Sequence, residues 1–167
     1  MKPQDILVLL KIIALGDTPW QQKTLAESLG MSQSEVSQSL VRSQYAGLLF
    51  NKGKQVMQLA LLDFLQYGLS YVFPQKPGAV VRGLATAHSA EPLKSEILSD
   101  ETYVWPSAKG NVRGHGIAPL YRSVPEAALK DNKLYELLAL VDSLRLGKAR
   151  EKELAMSHLK QIILHGK

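Results

Sequence analysis

The side chains that most readily do chemistry are thinly spread along this 167-residue chain. There is no cysteine, which excludes disulfides, thiolate metal sites and a thiol nucleophile and fits a reducing compartment. The four histidines, His88, His115, His158 and His165, show neither ligand spacing nor a His-Glu-x-x-His pattern, so no metal site is expected. Ser89 stands beside His88 with Glu91 two residues on, but neighbours on an extended segment point to opposite faces, which misplaces a nucleophile from its base. The glycines from Gly110 to Gly116 lack the preceding apolar strand and following helix of a phosphate cradle and read as a turn. No catalytic residue, no cofactor and no enzyme activity is expected.

A different chemistry is offered by residues 22–49. A helix-turn-helix needs a small residue where its helices touch, a glycine in the turn, and an aliphatic residue where the second helix packs back. Ala26, Gly30 and Val36 occupy those places, with Leu25, Leu29 and Leu40 completing a small core. Ser32 and Glu35 form a Ser-x-x-Glu capping box that starts the second of the two helices. The pattern continues through Val36-Ser37 and Leu40 to Ala46-Gly47-Leu48-Leu49.

That run resembles the MarR-type and related winged-helix regulators, closely over Leu25 to Leu49 and loosely over Lys2 to Phe73. The segment after Leu49 departs from the family, because it lacks a clear two-stranded basic hairpin. The resemblance implies a transcriptional regulator that binds double-stranded DNA, with the helix of residues 32–46 in the major groove. Gln33 and Gln38 would then read base edges, since a carboxamide both donates to and accepts from adenine. Ser32, Ser34 and Ser37 are short enough to let the helix come close. Phosphates would be held by Lys23, Thr24 and the first amides of the preceding helix, with Arg42, Lys52 and Lys54 nearby.

These residues must be positioned by a mainly α fold with a small β component. Asp5 can cap a first helix running to about Leu15, ended by Gly16 and apolar around nearly its whole circumference. A helix so covered is buried by its own domain on one side and by a partner or second domain on the other. Trp20 to Leu29 is the next helix, and Ser32 to about Ala46 the third, ended by Gly47. Phe50 to Gln55, with Asn51, Lys52, Gly53 and Lys54, is a very short wing. From Val56 the apolar residues return at helical spacing until Pro74.

Residues 1–73 therefore form the expected DNA-binding domain. Residues 74–122 are rich in glycine, proline and short β-prone runs, with strands expected at Ala79 to Val81, Thr102 to Trp105 and Ile117 to Tyr121. Val81-Arg82-Gly83 recurs as Val112-Arg113-Gly114, which chance explains better than a duplicated hairpin. Trp105, Tyr103 and Tyr121 are core residues first, with a small effector site as the alternative. Residues 123–167 are helical: Ser123 and Glu126 suggest a second capping box, Asp131 can cap a helix through Leu146, and Ala149 to Leu164 is the last. The leftover face of the Leu134 to Leu146 stripe is a candidate dimer seam.

Charge qualifies this reading. The net charge of +5 and pI near 9.4 suit a phosphate-bearing partner. Yet residues 1–73 carry six basic groups against five acidic ones, a net of +1, and the other +4 lies in residues 74–167. A single head would bind weakly, so a homodimer on one palindromic site is expected. The alternative is an adaptor or antitoxin-like protein that silences a partner enzyme through residues 74–167. No stretch is long and apolar enough to span a bilayer, no signal peptide is recognisable, and a cytoplasmic location is expected.

Overall fold

The computed structural model describes residues 1–50 and 52–166; Asn51, expected in the wing, lies outside them. Helix α1 spans Pro3–Leu15, beginning two residues before the expected Asp5 cap because Pro3 suits the first helical position. Asp5 instead sits in the first turn, where it accepts the Lys2 amide at 2.8 Å. Every residue of α1 from Asp5 to Ile13 is buried. Helices α2, Gln22–Leu29, and α3, Gln33–Tyr45, follow, joined through Gly30 in the left-handed conformation that suits glycine there. The second helix starts two residues later than the sequence suggests, because Gln21 and Thr24 close its N-terminus.

After Gly47, β1 (Leu49–Phe50) and β2 (Gln55–Val56) pair antiparallel, so a two-stranded hairpin does form, only two residues deep on each side. The next helical stretch breaks at Gly68 into α4, Gln58–Tyr67, and α5, Leu69–Val72. Among the described residues no helix is long and apolar enough to cross a membrane.

The loop-rich middle contains β3 (Val80–Ala85), β4 (Tyr103–Pro106) and β5 (Val112–Gly116). Each strand pairs with both others, closing a three-stranded ring: β3 runs antiparallel to β4 and β5, and β4 lies parallel to β5. So narrow a ring leaves no room for side chains at its closest approaches. A Cβ on Gly83 would fall 2.0 Å from the Trp105 carbonyl oxygen, and one on Gly114 would fall 2.5 Å from that of Thr102. This requirement for bare backbone outweighs β-propensity. It makes a strand of the glycine-bearing residues 112–116, read from the sequence as a turn, while the expected strand at Ile117 to Tyr121 is absent and Ile117 and Leu120 fill the core. The two Val-Arg-Gly words are each other's partners, with Arg82 opposite Arg113 and each glycine opposite the other's valine.

Three helices complete the chain: α6 (Val124–Lys130), α7 (Asn132–Leu146) and α8 (Ala149–His165). Asp131 caps α7 by accepting the Leu134 amide at 3.1 Å, as expected. The proposed Ser123/Glu126 box does not form. Glu126 is drawn to Lys109 at 3.0 Å, and the Ser123 hydroxyl is buried against Gly30 without a partner among the described residues. Helix α7 is the axis of the body, packed by α1, α5, α6 and α8. Its residues from Leu137 to Arg145 are all buried, which leaves no apolar face for the suggested dimer seam.

One hydrophobic core runs from Ile6 on α1 through Leu25, Val36 and Leu61 to Leu138 and Ile163. The second covering of α1 is thus supplied by this chain's own α7. Lys11, an apparent interruption in an apolar helix, reaches across that contact to Asp131 at 2.7 Å. A buried polar cluster fastens the ring to α7. Asp142 accepts hydrogen bonds from Thr86 and the Trp105 indole, each at 2.7 Å, and pairs with Arg145 at 2.8 Å. Arg145 also donates to the carbonyls of Phe73 and Ala118, the exits of the head and of the ring. Burial pushes the Asp142 carboxyl up from its ordinary range, against the pull of Arg145, Thr86 and Trp105.

Candidate nucleic-acid interface

The start of α3 is fixed by local chemistry. Ser32 Oγ accepts the Glu35 amide at 3.1 Å, and Glu35 Oε2 accepts the Ser32 amide at 2.8 Å, so two otherwise orphaned donors are satisfied reciprocally. Val36, Ser39, Leu40 and Ser43 point inward and are buried. The opposite side of the helix is in solvent. Ser34, Gln38, Val41 and Tyr45 recur three and four residues apart along its centre, with Gln33 exposed in the first turn and Ser37 half-buried on the flank. The only side-chain hydrogen bond on this face among the described residues is internal, Gln38 Nε2 to Ser34 Oγ at 3.4 Å.

The expected phosphate-binding residues divide. Lys23 and Thr24 lie exposed on the first turn of α2, although the Thr24 hydroxyl is used there, donating to the Gln21 carbonyl at 3.0 Å. Lys52 stands exposed in the hairpin turn with φ of 56°. Lys54 folds back over the Trp20 ring at 4.0 Å and donates to the Trp20 carbonyl at 3.2 Å, so its ammonium braces the hairpin against the segment leading into α2.

Arg42 is not placed with them. Its guanidinium turns toward α1 and makes three hydrogen bonds, of 2.7 to 3.2 Å, with Asp5, whose side chain is fully buried. Burial pushes the Asp5 carboxyl up, but Arg42 and the Lys2 amide outweigh it and hold it below its ordinary range. A cation anchored this way positions α3 and has few donors left for a phosphate.

Two contributors escaped the sequence reading. The first is Tyr45, 96% exposed, which together with the 64% exposed Val41 gives the C-terminal half of the α3 face an apolar character. Extending the helical stripe from Ser34 and Gln38 by one more turn would have found Tyr45. The second comes from the body. Tyr121 donates its hydroxyl to Glu35 Oε1 at 2.5 Å, and Arg122 lies 3.7 Å from the same oxygen. The Tyr121 hydroxyl and then the Ser32 amide hold the Glu35 carboxyl down at about 2. No local signal in residues 1–73 could have announced a partner 86 positions away.

Two of the residues weighed for catalysis make hydrogen bonds to the backbone around β4. Ser89 Oγ accepts the Tyr103 amide at 2.9 Å, and His88 contacts the Glu101 carbonyl at 2.8 Å. Trp105 and Tyr103 are buried core residues. Grooves of about 450 and about 700 Å³ lie elsewhere, against α8. The chain matches no known protein family, no curated protein and no solved structure.

Proposed function

We propose that the protein is a transcriptional regulator that binds double-stranded DNA sequence-specifically, with α1 to α3 and the β1–β2 hairpin as a winged helix-turn-helix and α3 in the major groove. The observation that carries this reading is the free outer face of α3. A capped helix presents two carboxamides and two short hydroxyls, committed among the described residues to nothing but one another. Gln33 and Gln38 supply donor and acceptor pairs for adenine edges, and Val41 suits a thymine methyl group. Lys23 in the first turn of α2 and Lys52 in the hairpin turn are exposed cations without a protein partner among the described residues, and they would position rather than specify. With so few charges on the head, two copies on one palindromic site make up the phosphate contacts that a single copy lacks.

Selection from randomised duplexes with the pure protein at moderate salt tests the reading. One sequence family should be enriched, with symmetric half-sites. The double variant Gln33→Ala/Gln38→Ala should lose that preference while melting at the wild-type temperature, because both side chains are exposed. A wild-type protein that enriches no sequence would end the proposal.

A further inference from the structure

We infer that the DNA contact extends beyond the head, and that the body contributes Arg122 as a phosphate-binding residue beside the N-terminus of α3. The inference rests on the proposed DNA-binding function and adds to it a residue from outside residues 1–73.

The geometry is specific. The Arg122 guanidinium lies over the Tyr121 ring, 4.8 Å from its centroid, and the Tyr121 hydroxyl is bonded to Glu35 in the first turn of α3. A flexible side chain is thereby held on an aromatic platform that is itself pinned to the helix expected to enter the groove. The segment cannot drift away, since Ser123 packs directly against Gly30 in the α2–α3 turn. Arg122 remains 75% exposed, and its ion-pair partner among the described residues is Glu35, at a loose 3.7 Å. With three-quarters of the side chain in solvent, its planar fork has donors to offer the paired oxygens of a phosphate. The position also answers a local electrostatic problem. Glu35 places a carboxylate at the leading end of α3, where a polyanion would repel it, and a guanidinium alongside offsets that charge.

Binding of a random-sequence 30-base-pair duplex, followed by fluorescence anisotropy across a salt series, tests the assignment in the full chain. Arg122→Ala should weaken binding roughly tenfold at low salt, the size expected for one charge-assisted contact. It should also reduce the slope of log affinity against log salt by about 0.9, the release expected for one phosphate. Its melting temperature should stay at the wild-type value. Arg150→Ala, which removes an exposed positive charge from α8, should leave the slope unchanged. Wild-type affinity and slope in Arg122→Ala would overturn the inference and leave Arg122 as a neutraliser of Glu35 alone. An equal loss in Arg150→Ala would overturn it too, by showing an effect of net charge. If the wild-type chain binds no duplex, the proposed function falls and the inference with it.

Discussion

Replacing Asp142 with alanine is the most informative single perturbation of this fold. The carboxylate receives three hydrogen bonds of 2.7 to 2.8 Å, from Thr86, Trp105 and Arg145, in a site sealed from water. Alanine leaves the Arg145 guanidinium buried without its counter-charge and leaves the Thr86 and Trp105 donors unpaired. Breaking a buried pair from one side costs about 3–5 kcal/mol, because the remaining charge has lost both water and partner. The Phe73 and Ala118 carbonyls still accept from Arg145, which argues for the middle of that range, about 4 kcal/mol. Against a typical total stability of about 5–15 kcal/mol this is a large fraction. For a chain of this size it lowers the melting temperature by roughly 8–16 °C. Urea unfolding followed by tryptophan fluorescence measures it directly, since Trp105 touches the site. A loss below about 1 kcal/mol with an unchanged denaturant slope would refute the account. So would a double variant, Asp142→Ala/Arg145→Leu, whose cost equals the sum of the two single costs, because coupled partners do not add.

The remaining predictions concern charges around α3. Arg42→Ala should destabilise the chain by about 2–4 kcal/mol in urea unfolding, since it strands the fully buried Asp5 carboxylate, with part of the cost relieved by water at the 25% exposed arginine site. The same variant should keep the wild-type salt slope for DNA binding; a slope reduced by about one with stability intact would make Arg42 a phosphate ligand after all. Glu35 is held at about 2 against an ordinary value of 4.5. A carboxyl depressed in the folded state contributes stability in full above its ordinary value and loses it as pH falls through the folded value. The stability advantage of wild type over Glu35→Gln should accordingly be flat above about pH 5 and shrink as pH falls toward 2. An advantage that is constant across that window would show that the ionised carboxylate is not what matters.

Local signals in this sequence were legible, and long-range ones were not. The Ser32/Glu35 box, the Gly30 turn and the Asp131 cap each depend on residues within three or four positions, so sequence spacing alone determines them. The Ser123/Glu126 spacing looks the same, yet Lys109 captures Glu126 and the box is lost. Arg42 read as a free cation because its partner Asp5 lies 37 positions earlier. Asp142 and Arg145 have the spacing of an ordinary surface ion pair on a helix, and only Thr86 and Trp105, arriving from the ring, make the pair a buried one. Of the candidate site, Gln33, Ser34, Ser37 and Gln38 stand on or beside the exposed face where helical periodicity puts them. Tyr121 and Arg122 come to it only through tertiary packing.

The recurrence of Val-Arg-Gly admits an explanation that owes nothing to ancestry. Antiparallel strands that meet at their midpoints place a repeated three-letter word against its own reversal, so the bulky first residue of each copy covers the bare third residue of the other. The word is self-complementary, much as a palindrome is in a duplex. Each copy also leaves a notch, one beside Trp105 and one beside Thr102, and the same third strand runs past both. Two notches three residues apart fix that strand's lateral position and its register together, which a single gap could not do. Short words repeated at a distance in other sequences can therefore encode a pairing address as readily as a duplication.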